Sequence, residues 1–181
     1  MKLLISTFLL LITTSVFAAQ ECPDVLKHMK RKLNSQETVN FCEEYAGKTV
    51  LVVNTASMCG FTPQFKDLEK LYENFKQEGL VVMGFPSNDF EQEYSDESKT
   101  AEKCELEYGV SFPMFEPLSV RGENADPLYR QLEKQTGKSP KWNFNKYLVD
   151  KKGVVVGYYG SRVTPDNADF MKDLTKALSE E

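Results

Sequence analysis

The 181-residue chain has one histidine, one tryptophan and four cysteines, and no two cysteines stand at dithiol or zinc-clasp spacing. These shortages exclude several chemistries. A dithiol exchange motif needs a second cysteine three residues from the first; around Cys59 those positions hold Ala56 and Thr62. A cysteine–histidine nucleophile pair needs a nearby histidine, and His28 stands in a polar N-terminal segment, where it reads as a surface residue. Zinc fails for want of ligands at the right spacing. There is no internal repeat, no low-complexity tract and no linker. A basic stripe is missing too: 22 Lys and Arg stand against 27 Asp and Glu, for a net charge of −5. An acidic chain of this kind is a poor nucleic-acid binder.

Long hydrophobic runs are scarce, but one opens the chain. "MKLLISTFLLLITTSVFAAQ" has Lys2, an apolar run from Leu3 to Leu11, and the small-residue pattern Val16-Phe17-Ala18. It reads as a secretory signal peptide over residues 1–18, too short for a spanning helix. Cleavage after Ala18 leaves one domain, residues 19–181, with no membrane attachment. The leader holds one Lys and no acid, so the remaining 163 residues carry 21 basic and 27 acidic side chains, a net −6. The expected location is the periplasm or the outside of the cell, where disulfides persist. Four cysteines allow three full pairings, and spacing does not choose among them.

The rest reads as an α/β domain. "TVLVVNTA" from Thr49 and "LVVMGF" from Leu80 to Phe85 are short apolar runs, expected to be buried strands. Between them Phe65, Leu68, Leu71, Tyr72 and Phe75 recur at helical spacing, with Thr62 as N-cap, Pro63 at the first helical position and Gly79 as the stop. Strand, helix, strand with short links implies parallel pairing. A helix is expected from about Ser98 to Tyr108, a short strand around Pro113, and a helix ending at Gly137. A hairpin turns at Gly153, and an amphipathic helix closes the chain. The expected architecture is a central mixed β-sheet flanked by helices on both faces.

Cys59 falls after the first strand and just before the helix start. Free backbone N–H groups and the helix dipole there favour a thiolate, and Gly60 allows close backbone approach. The alternative is a buried, inert cysteine.

The segment "VNTASMCGFTPQF" around Cys59 resembles the active-site segment of the glutathione peroxidase family. "GFPSNDF" (84–90) and "WNFNKYLVD" (142–150) resemble its second and third motifs, in the right order, and the resemblance spans roughly residues 48–180. It implies a thioredoxin-like fold and reduction of hydrogen peroxide and organic hydroperoxides through a cysteine sulfenic acid, with no cofactor and no metal. Cys59 takes the peroxidatic position. "EKCELEYGVSFPMF" resembles the segment with the resolving cysteine of the thioredoxin-dependent branch, which makes Cys104 the resolving candidate. The competing reading is core filler, since Cys104 shares a helix face with Ala101 and Tyr108.

Trp142 and Asn143 match the family's donor pair beside the reactive sulfur. Asp89 departs from it, standing where the family has Gln. An ionised carboxylate can only accept hydrogen bonds and would disfavour a neighbouring thiolate. Asp89 is therefore protonated, turned away, or a loop-capping residue with the donor role left to Asn88 or a backbone N–H. Ser87 replaces a cysteine common in the family. Cys22 and Cys42 bracket the segment that departs most from the family and are expected to pair with each other. Only Lys138 and Ser139 separate "EKQTG" from "PKWNF", with no extra residues where tetrameric members carry an assembly loop. That implies a monomer, reduced by a thioredoxin-like protein or by glutathione. The rival reading is a peroxide sensor or relay that passes its oxidation to a partner protein.

Overall fold

The polar N-terminal segment folds into a small hairpin, β1 (Met29–Arg31) and β2 (Thr38–Asn40), followed by the short helix α1 (Phe41–Tyr45). The computed structural model describes residues 21–180; the leader read over residues 1–18 lies outside them. Cys22 and Cys42 form a disulfide, Cα to Cα 5.4 Å, that ties the start of this segment to α1. Closing a loop of 20 residues stabilises by roughly 3 kcal/mol in the chain-entropy picture. His28 is half-buried, with its Nε2 3.0 Å from Gln131 Oε1.

Strand β3 (Thr49–Thr55), helix α2 (Gln64–Phe75) and strand β4 (Leu80–Pro86) form the expected parallel βαβ unit. A tight turn over Lys76–Glu78 follows α2, and Gly79 closes it at φ +96°, the left-handed conformation a residue with a Cβ adopts only under strain. Further on come α3 (Glu97–Glu102), α4 (Pro127–Thr136), β5 (Lys146–Val149), β6 (Val155–Tyr159) and α5 (Ala168–Ser179). The sheet order is β4-β3-β5-β6, with β5 antiparallel to both β3 and β6. The fold is therefore thioredoxin-like α/β with a mixed central sheet.

Alternating residues of β3 face opposite layers, so a continuous apolar run is what burial on both sides requires. Val50 and Val52 pack with Phe41, Tyr129 and Leu132, the layer of α1 and α4. Leu51 and Val53 pack with Phe65, Leu68, Phe170 and Leu174, the layer of α2 and α5. Both free thiols, Cys59 and Cys104, belong to this second layer.

Three local expectations change. The Thr62 side chain does not cap α2, which begins at Gln64. Its hydroxyl instead donates to Ala56 O and Cys59 O at 2.8 and 2.7 Å and accepts from Cys59 N at 3.0 Å, locking the preceding turn. The helix expected to Tyr108 is α-helical only to Glu102, then widens into one π-helical turn over Lys103–Glu107, with Cys104 pointing inward. Around Pro113 there is no strand, only single bridges, Gly84 to Met114 and Lys32 to Phe115. Pro113 has no N–H to give a ladder, and Met114 lies so close that a Cβ on Gly84 would stand 2.2 Å from its Sδ.

Candidate active site

Three loops meet at the end of the sheet where β3 and β4 terminate. The first is the turn of residues 56–63. Cys59 is 7 % exposed, and the Phe61 N–H points at its Sγ from 3.4 Å. The second is the loop of residues 87–95 after β4. It is laced to the first: Met58 N donates to Gln92 O at 2.9 Å, and Ser57 N donates to the Glu93 carboxylate at 3.1 Å.

The third is the turn of residues 142–145 that enters β5. Its conformation is demanding, because Phe144 sits at φ +59°. Two residues hold it. Asn54 of β3 accepts the Asn145 N–H at 3.0 Å and donates to Trp142 O at 3.0 Å, while its carbonyl takes the Phe144 N–H at 2.6 Å. From below, the buried Lys146 amine donates to Phe144 O at 2.8 Å.

This clamp presents Trp142 and Asn143. The indole is 42 % exposed and packs on Phe90, ring centroids 5.3 Å apart. Asn143 is fully buried; its Nδ2 donates to Gln92 Oε1 at 3.0 Å, and its Oδ1 has no partner among the described residues. A cleft of about 470 Å³ is lined by Phe61 of the Cys59 turn together with Trp142, Ser161, Arg162 and Val163. It offers an apolar wall with a guanidinium at its edge.

Asp89 is a loop-capping residue. Its carboxylate accepts from Ser119 Oγ at 3.0 Å, Val120 N at 2.6 Å and Arg121 N at 3.2 Å. The Arg121 guanidinium donates back to Asp89 O at 2.6 Å and lies 4.2 Å over the Phe90 ring. All of these carboxylate bonds go to residues 119–121 and none to the Cys59 turn.

Cys104 is 1 % exposed on its π-turn. Burial first, then the nearby Glu93 and Glu105 carboxylates, push its thiol up to about 12. In this position it is a protonated, unreactive thiol. A cavity of about 340 Å³ borders it, lined by Tyr72, Val110, Phe112 and Met114 among others.

The sequence pattern of the family described as "Glutathione peroxidase" matches residues 26–133. The chain belongs to the glutathione peroxidase family. It is 45 % identical over 143 residues to a glutathione peroxidase of Lactococcus lactis, covering 76 % of this chain and 90 % of the relative. It is 44 % identical over 143 residues to a glutathione peroxidase-like peroxiredoxin of Saccharomyces cerevisiae, covering 75 % and 88 %. A solved structure titled "Crystal structure of Trgpx in apo form" superposes with a TM-score of 0.67 at 32 % identity, covering 86 % of this chain and 96 % of the other. As a member of this family, the chain is a glutathione peroxidase-like hydroperoxide reductase.

Sequence reasoning missed Asn54, Gln92 and Lys146. Two of them carried a signal: a polar Asn54 after Val52-Val53 and a lysine at the head of a buried strand are both costly unless they hold something. Gln92 carried none; its role comes from the loop that brings it to Asn143. Gln92→Ala frees the Asn143 amide, and losing a hydrogen bond of ordinary strength is expected to slow Cys59 oxidation about 10-fold. Stopped-flow oxidation by peroxide measures this; an unchanged rate would show that Gln92 does not orient Asn143.

Proposed function

We propose that Cys59 and Cys104 run a two-cysteine hydroperoxide reductase cycle that a thioredoxin-like dithiol closes. The observation that carries the reading is the pair of free thiols buried in one layer, with Cys104 on a π-turn beside a cavity. The Cys59 thiolate attacks the terminal peroxide oxygen. The O–O bond breaks, an alcohol or water leaves with a proton, and the sulfur becomes a sulfenic acid, oxidised by two electrons. Trp142 and Asn143 supply N–H donors to the sulfur and the departing oxygen. Cys104 then attacks the sulfenic sulfur, an S–S bond forms, and the hydroxyl leaves as water with the Cys104 proton. A dithiol reductant returns two electrons and two protons.

Glutathione is the less suited donor, because an internal disulfide is resolved in one exchange sequence by a dithiol. The kinship with a protein named a glutathione peroxidase-like peroxiredoxin supports the same choice. The leader pattern and the Cys22–Cys42 disulfide support an exported protein, so the donor belongs to an exported thioredoxin-like class.

The test is one equivalent of hydrogen peroxide added to protein with Cys59 and Cys104 reduced and Cys22–Cys42 intact. Free thiols are then trapped and disulfides mapped by peptide mass spectrometry. A Cys59–Cys104 peptide is the expected product. An unreacted Cys59, or a sulfinic acid without the cross-link, would sink the cycle.

A further inference from the structure

Cys104 is 1 % exposed on its π-turn, so presenting it to a sulfenic acid calls for local unwinding, and something must hold that turn while Cys59 is reduced. The N-terminal end of α3 is pinned firmly. The Arg31 guanidinium forks onto Glu97 at 2.9 and 2.6 Å, and Asp96 accepts from Ser98 N at 3.0 Å. Two side-chain ties follow before Cys104: Lys103 pairs with Glu107 at 2.7 Å within the π-turn itself, and Thr100 Oγ1 donates outside the helix, to Glu93, at 3.0 Å.

Glu93 is the unusual partner in that bond. It is 5 % exposed, with no basic group among the described residues bonded to it, and burial pushes its carboxyl up. One oxygen takes Thr100 Oγ1 and Tyr94 N, the latter at 2.8 Å. The other takes Ser57 N, two residues before Cys59. A single carboxylate therefore bonds the peroxidatic turn through one oxygen and the resolving helix through the other.

We propose that Glu93 is a latch between the two cysteines. In the reduced protein it holds Thr100, and with it the π-turn, in register with the Cys59 turn. Oxidation adds an oxygen to a sulfur that is nearly enclosed and already receives the Phe61 N–H, so the turn of residues 57–61 must shift. That shift draws Ser57 N and Met58 N away from Glu93 and Gln92 O. It loosens the Thr100 tie, and Cys104 swings out toward the sulfenic acid. Glu93 is a positioning residue here, and the inference rests on the two-cysteine reading above.

Two variants test it. Glu93→Gln keeps one acceptor oxygen, so whichever way its amide turns, the N–H of Ser57 or of Tyr94 faces an NH2 group and the carboxylate bridge is broken. Thr100→Val removes only the helix side and leaves the Cys59 turn bonded. For each, three quantities are read: amide hydrogen exchange of residues 100–108 in the reduced protein, and the rates of Cys59 oxidation and of disulfide formation by rapid quench. Losing a bond to a buried carboxylate is expected to speed exchange and disulfide formation about 10-fold or more. Cys59 oxidation in Thr100→Val should stay unchanged, and Thr100→Ser, which keeps the hydroxyl, should behave as the unsubstituted protein. Unchanged exchange in both variants overturns the latch. Failure of the two-cysteine reading has a separate signature, the absence of a Cys59–Cys104 peptide from the unsubstituted protein.

Discussion

Cys104→Ser is expected to lose turnover, consuming no more than about two peroxides per molecule as Cys59 passes through the sulfenic to the sulfinic acid. Peroxide meets Cys59 first, and nothing in that step requires Cys104, so the initial rate should match that of the unsubstituted protein. Without a resolving thiol the sulfenic acid persists, and excess peroxide carries it to the sulfinic acid, which an ordinary dithiol does not reverse. Continuous consumption of peroxide with a thioredoxin system should fall to background. Mass spectrometry should find Cys59 with two added oxygens. The unsubstituted protein should show the complementary behaviour under alkylation: Cys59 modified at neutral pH and Cys104 spared, because its thiol is buried and pushed up to about 12. Sustained turnover by Cys104→Ser would mean that an external thiol resolves Cys59 directly, and the cycle would then be a one-cysteine reaction.

Lys146→Met is expected to stabilise the protein at neutral pH and to slow it as a catalyst. Lys146 is fully buried, and desolvation lowers its amine to about 7 from the usual 10.5. Between those two values the unfolded chain binds the proton that the folded chain does not, so stability rises with pH across this window. At pH 7 the penalty nears its full size, on the order of 4 kcal/mol; by pH 9 it falls to about 2 kcal/mol. Methionine of similar volume removes that penalty. It also leaves Phe144 O without its donor, which costs about 1–3 kcal/mol at any pH. The net gain at pH 7 is therefore about 1–3 kcal/mol, and it should shrink by about 2 kcal/mol at pH 9. Urea unfolding of both proteins at the two pH values gives the difference directly. Groups common to both cancel, including Cys104, whose raised thiol acts with the opposite sign above pH 9. A pH-independent difference would mean that the Lys146 amine stays charged inside the fold. The catalytic loss has a separate cause: Phe144 held at positive φ by Lys146 is what presents Trp142 and Asn143.

The parts of this molecule that could be read in advance are those whose meaning is local. The run Thr49–Thr55, the helical spacing after it and Gly79 specify a βαβ unit within forty residues. The three motifs carrying Cys59, Asn88–Asp89 and Trp142–Asn143 are each contiguous. What stayed hidden depends on tertiary meeting points. Asp89 reads as a misplaced catalytic group until residues 119–121 arrive to use its carboxylate. Gln92 and Glu93 read as an ordinary polar loop, because their partners Asn143, Ser57 and Thr100 come from three other places in the chain. The β1–β2 hairpin lacks the alternation that marks a strand, since Met29-Lys30-Arg31 is not half apolar. The π-turn also has no periodic signature, because Ala101, Cys104 and Tyr108 fit an ordinary helix equally well.

The two helical layers also keep two kinds of sulfur apart. Cys22 packs against the layer of α1 and α4, while Cys59 and Cys104 lie in the layer of α2 and α5. The four-stranded sheet stands between them as a partition. Cys59 and the structural bridge therefore lie on opposite sides of the sheet, and Cys22 and Cys42 are engaged with each other. Cross-talk between the pairs is confined to the time before the sheet closes. The hazard of carrying a permanent disulfide and a transient one in the same chain is thus one of folding order rather than of catalysis.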